Sequence, residues 1–196
     1  FGVLQRNAGF KQLEQGIIFT GRAAGTNLPI ISDNLKKITD SAISTADAMK
    51  AVAIGTSAGF SMTQLEGLTS VAKGASLALG RDMTDALDRL VRGAAKLEPE
   101  ILDELGIMVR LDTTAREYAG ALGKTVGELT QFEKRMAFTN AIIEQGEKKF
   151  GALNGVIEAN PYSKLAATFD ELLKSTIAFV DKGLGPIVGL IASNMG

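Results

Sequence analysis

The stretch Arg81-Asp-Met-Thr-Asp-Ala-Leu-Asp-Arg-Leu-Val-Arg-Gly-Ala-Ala-Lys96 decides the fold class. Met83, Leu87, Leu90, Val91 and Ala94 recur at helical spacing, so they line one face of an α-helix. Asp82 suits the N-cap, and Asp85 falls in the first turn, where exposed backbone N–H groups favour negative charge. Asp85–Arg89 and Asp88–Arg92 are i,i+4 pairs that reinforce the same helix. A single amphipathic helix cannot bury its own apolar stripe, so the flanking sequence must supply partners.

Toward the C-terminus, Pro99 suits the first position of a short helix carrying Ile101, Leu102 and Leu105, which Gly106 can stop. Ile107, Val109 and Leu111 are apolar at every second position, a pattern that allows one very short strand. Thr114/Glu117, Thr125/Glu128 and Thr130/Glu133 have capping-box spacing. The last opens a long helix with Phe132, Met136, Thr139, Ile143, Gly146 and Phe150 on one seam, ended by Gly151. Pro161 begins a final long helix with the seam Leu165, Phe169, Leu172, Thr176 and Phe179. Gly183, Gly185 and Pro186 stop it before an apolar end.

Toward the N-terminus, Gly80 can close a helix opened by a Thr63/Glu66 capping box, with Leu65, Leu68, Ala72, Ala75 and Leu79 on its seam. Gly67 and Gly74 each cost that helix roughly 1 kcal/mol relative to Ala, so it depends on packing. Ser32 or Asp33 can cap an earlier helix whose seam is Leu35, Ile38, Ala42, Thr45, Met49 and Val52, broken at Gly55 to Ser61. Residues 1–31, interrupted by Gly2, Gly9, Gly16, Gly21 and Gly25, read as irregular. The expected fold is all-α: several amphipathic helices with short loops, bundle-like or extended. No seam lasts beyond about three heptads, which is short for a sustained coiled coil. Phe132, Met136, Ile143, Phe150, Leu165, Phe169, Leu172 and Phe179 are the candidate packing seam, and pairing within one chain and between copies both stay open.

The absences in the 196 residues narrow the chemistry. With no Cys there is no thiolate nucleophile and no thiolate metal ligand. With no His, the commonest general base and metal ligand is missing. The net charge of −1 offers no footprint for nucleic acid, so no specific nucleic-acid binding is expected. Asp82, Asp85, Asp88, Asp103 and Glu104 lack the alternating ligand spacing and central Gly of a calcium loop, and a salt-bridged helix face explains them. Glu98, Glu100 and Glu104 could supply paired carboxylates for glycoside hydrolysis, but the sequence shows no apolar pocket to raise one pKa. Gly21–Gly25 and Gly55–Gly59 lack the Lys-Ser/Thr ending of a P-loop and read as loops. No enzymatic activity, cofactor or metal is expected. Ala51 to Leu65 and Gly183 to Gly196 are the longest uncharged stretches, each below the roughly 20 residues of a spanning helix.

The run Leu79-Gly-Arg-Asp-Met-Thr-Asp-Ala-Leu-Asp-Arg-Leu-Val-Arg-Gly93 leads into Lys96-Leu-Glu-Pro-Glu-Ile-Leu-Asp-Glu-Leu-Gly-Ile107. Leu122-Gly-Lys-Thr125, Leu129-Thr-Gln-Phe-Glu-Lys-Arg135 and Gly146-Glu-Lys-Lys-Phe150 follow. Together these strings resemble a helical segment of bacteriophage and prophage tail tape-measure proteins, over roughly residues 60–151. The final helix fits the same family more loosely, and the first 55 residues match nothing that can be named. On that resemblance, residues 32–151 form a tape-measure-like helical domain, followed in 152–196 by a long amphipathic helix and an apolar end.

The resemblance implies a structural role without catalytic residues. A tape measure sits in several copies in the tail tube or tip of the virion, sets tail length during assembly in the host cytoplasm, and leaves at DNA ejection. The implied partners are other copies of itself, the tail tube, and the tail tip or baseplate hub proteins, with host-membrane contact during ejection a further option. A fully helical chain of this length would span about 290 Å at ~1.5 Å per residue, too short for a long-tail ruler. That shortfall, with the opening Phe1, makes the segment an expected piece of a longer or processed protein. Two alternatives stand beside this reading. One is a membrane-inserting channel former built on Ala51–Leu65 and Gly183–Gly196. The other is a carboxylate-dependent cell-wall hydrolase using Glu98 and Glu104.

Overall fold

The computed structural model describes residues 12, 15, 16 and 27–153, and Gln12, Gln15 and Gly16 have helical backbone. Residues 27–153 form seven α-helices packed as a bundle, with no strand among the described residues. α1 spans Leu28–Ile38, α2 Thr45–Ala58, α3 Met62–Leu79 and α4 Met83–Lys96. α5 covers Pro99–Asp103, α6 Leu111–Ala121 and α7 Gln131–Phe150, with short 3₁₀ turns at Val126–Glu128 and Gly151–Leu153.

Local chemistry accounts for most of these boundaries. The Asp85 N–H donates to the Asp82 side chain at the start of α4. Gly80 takes the left-handed conformation at the end of α3, with φ 63°, a backbone that costs a residue with a β-carbon but not Gly. Pro99 sits in the first turn of α5. The Thr130/Glu133 box closes reciprocally at the start of α7, while at Val126–Glu128 the Glu128 carboxylate accepts from both the N–H and the hydroxyl of Thr125.

Four local expectations change. α1 begins at Leu28 rather than after Ser32, because Pro29 pre-sets the backbone of its first turn. The seam from Leu35 to Val52 is divided between two helices. Asp40 and Ser41 turn left-handed at φ 51° and 61°, and Ser44 caps α2 by accepting from the Asp47 N–H. α2 then continues through Gly55, where Leu65 occupies the space of a β-carbon, and ends at Gly59 with φ 89°. The box that opens α3 is Ser61/Gln64 rather than Thr63/Glu66. Thr114 lies inside α6, where its hydroxyl donates to the Leu111 carbonyl rather than capping a helix.

The short strand allowed at Ile107–Leu111 is absent. Residues 107–110 are an extended link that buries Ile107 and Val109 and exposes Met108, so the alternation is real but no neighbouring strand receives its hydrogen bonds.

α3 occupies the centre, against α1, α4, α7 and the turn Gly151–Leu153. Every residue from Val71 to Ser76 is buried, so α3 is enclosed on more than one face. Lys73 belongs to that run. Its ammonium, at low exposure, pairs with Asp40 at 2.7 Å, which ties the α1–α2 turn to the central helix.

Candidate interaction surfaces

α3 and α7 run in the same direction. Gln64 donates to Asn140 at 2.8 Å. Further along, Ile143 packs on Gly67 and Val71 packs on Gly146, so the contacts advance together along both helices. The two glycines receive side chains in reciprocal fashion. Each supplies a hollow that a β-carbon would fill, which lets the backbones approach closely.

This packing uses part of the candidate seam within the chain. Phe150 is in the core, while Ile143 and Met136 are half-buried against it. Phe132 is 52% exposed and lays its ring on Gly59. Leu165, Phe169, Leu172 and Phe179 lie outside the described residues. The buried face of α7 is turned relative to the expected one. Phe138 and Ile142 are fully buried and were missed, although their i,i+4 spacing is itself a helical signal. Thr139 is buried as well, and its hydroxyl has no hydrogen-bond partner among the described residues.

The carboxylates resolve into caps and ion pairs. Asp85 accepts from Arg81 and Arg89, and Asp88 from Arg92 and Lys50. Glu104 accepts from Arg89 at 2.8 Å and Arg81 at 3.3 Å, joining α5 to α4. The Arg89 guanidinium is held still more firmly protonated, first by its hydrogen bond to Asp85. Glu98 lies 3.9 Å from Lys96. Among the described residues no group of three or more acidic side chains is placed to hold a metal ion.

A groove of about 390 Å³ opens between the 107–110 link, the start of α6 and the second half of α7. Met108, Val109 and Ala141 give it an apolar floor, and Arg110, Glu144 and Lys148 stand among its charged residues. Gln145 also lines it, donating to the Met108 carbonyl at 3.2 Å while its own side-chain oxygen is buried without a partner among the described residues. Met108 is 71% exposed.

No helix among the described residues is long and apolar enough to cross a membrane. The uncharged Ala51–Leu65 stretch is split between α2 and α3 at Gly59 and Phe60, and Gly183–Gly196 lies outside the described residues. No family model matches the chain, and no solved structure matches it.

Proposed function

We propose that this chain is a folded helical portion of a bacteriophage tail tape-measure protein, acting by helix packing in the tail tube or at its tip. The observation that carries the reading is the set of strings between Leu79 and Phe150 that resembles that family. They fall on α4, α5, the turn before α7, and both ends of α7. An all-α bundle with a glycine-lined helix pair is compatible with such a role. On this reading the partners are further copies of the chain and the tube and tip proteins, and the exposed Ile30, Met108 and Phe132 are among the apolar side chains open to them.

An in-frame deletion of this segment from the phage or prophage gene that carries it tests the reading. Tails that are shortened or fail to assemble are expected. Normal tails of unchanged length would overturn it.

The hydrolase alternative draws no support from the structure, because Glu104 is engaged by two arginines and Glu98 stands beside a lysine. Nor does any observation among the described residues favour the channel alternative.

A further inference from the structure

Residues 110–129 are held differently from the rest of the bundle. α6 buries Thr114, Ala115 and Ala119, and the two alanines join Leu129 and Tyr118 in a small cluster separate from the main core. Among the described residues, the substantial packing of α6 is on α7 and the turn Val126–Glu128, and Leu111 at its first position packs, partly buried, against the main core. α4, by contrast, places Met83, Leu87, Leu90 and Val91 in the main core and packs on α2, α3, α5 and α7. Stabilisation by burial scales with apolar area, and alanines contribute little of it.

The electrostatics of α6 add little to its hold on the bundle. Asp112 pairs with Arg110 and Arg116, both within the same segment. The N-cap residue, Arg110, makes no capping hydrogen bond. The ties to α7 sit at the ends. Lys149 donates to the Gly106 carbonyl and Gln145 to that of Met108, just before α6, while Lys124 pairs with Glu133 after it. The Gln145 oxygen, unpartnered among the described residues, belongs to a side chain that lines the groove with Thr113 and Thr114, where opening would hydrate it.

We infer that residues 110–129 open from α7 as one hinged arm while α1–α5 and α7 stay folded. The first hinge lies at Arg110, just after Ile107 and Val109, which are buried in the main core, and after the Gly106 and Met108 carbonyls that α7 holds. The second lies at Leu129, before the Thr130 box that starts α7. Opening frees the outer side of α7 along Ala141–Lys148 and widens the groove.

Native-state hydrogen exchange on the full chain, in water and in sub-denaturing urea, tests this. After correction for intrinsic rates, amides of residues 115–121 are expected to exchange at least about tenfold faster than those of 86–94, with little dependence on urea. Leu129→Ala should accelerate exchange in 115–121 several-fold and leave 86–94 unchanged. Equal rates with equal urea dependence in the two segments, or equal acceleration of both by Leu129→Ala, would overturn the hinged arm.

Discussion

The methyl groups of Val71 on α3 fill the volume that a β-carbon on Gly146 of α7 would require. One turn earlier the roles reverse, with Ile143 of α7 lying 3.0 Å from where a β-carbon on Gly67 would stand. A glycine inside a helix ordinarily costs about 1 kcal/mol relative to Ala. Here that cost is offset by the close approach of two parallel helices at the centre of the bundle.

Gly146→Ala is therefore expected to destabilise the protein in spite of its better helix propensity. Overpacking costs about 1–3 kcal/mol in a core of ordinary density. Val71→Ala creates room, so the double variant should be more stable than the sum of the two single losses. Urea unfolding of all four proteins measures the coupling. Strict additivity would show that the Val71–Gly146 contact does not limit the approach.

Thr139 offers a stabilising change. Its buried hydroxyl lacks a partner among the described residues, and an unsatisfied polar group of this kind costs about 1–3 kcal/mol. Thr139→Val keeps the shape and removes the hydroxyl. A gain of about 1 kcal/mol is expected in urea or thermal unfolding, and a loss would mean that the hydroxyl is satisfied in solution.

Glu133 is held at a pKa of about 2, below the ordinary 4.5, first by its hydrogen bond from Lys124 and then by the backbone and hydroxyl of Thr130. A carboxylate with a lowered folded pKa stabilises the fold in full above its unfolded pKa and loses that contribution as pH falls through the folded value. The contribution of Glu133 thus fades between about pH 4.5 and pH 2. Lys124→Met should move the Glu133 carboxyl titration, followed by NMR, back toward 4.5. An unmoved titration would remove Lys124 as the leading cause.

The start of α3 distinguishes two neighbouring hydroxyls. Ser61→Ala removes the side chain that accepts from the Gln64 N–H, and losing such a cap costs about 0.5–2 kcal/mol. Thr63 is exposed within the first turn, so Thr63→Ala should change stability little. Equal effects in thermal unfolding would place the cap elsewhere.

The elements legible in the sequence are those whose cause lies within four residues. Asp82 and Thr130 cap nearby N–H groups, Glu128 accepts from the N–H of Thr125, Gly80 relieves a left-handed turn, and Asp85–Arg89 and Asp88–Arg92 lie one helical turn apart. The all-α class follows from these together with the periodic apolar faces. A competing local signal misled where two were available: Thr63/Glu66 has the spacing of a box, but Ser61/Gln64 closes instead.

Long-range packing decided the rest. The Leu35–Val52 seam keeps helical spacing across a turn that is fastened by Asp40 to Lys73, far along the chain. α7 carries apolar residues at Phe132, Met136 and Ile143 as well as at Phe138 and Ile142, so its sequence permits more than one buried face. Gln64, Gly67 and Val71 select the face that is used, from about 76 residues away. Propensity and capping act over one helical turn and can be read along the chain. Which face is buried, and which helices run parallel, depends on the shape of a partner surface that exists only once the chain has folded.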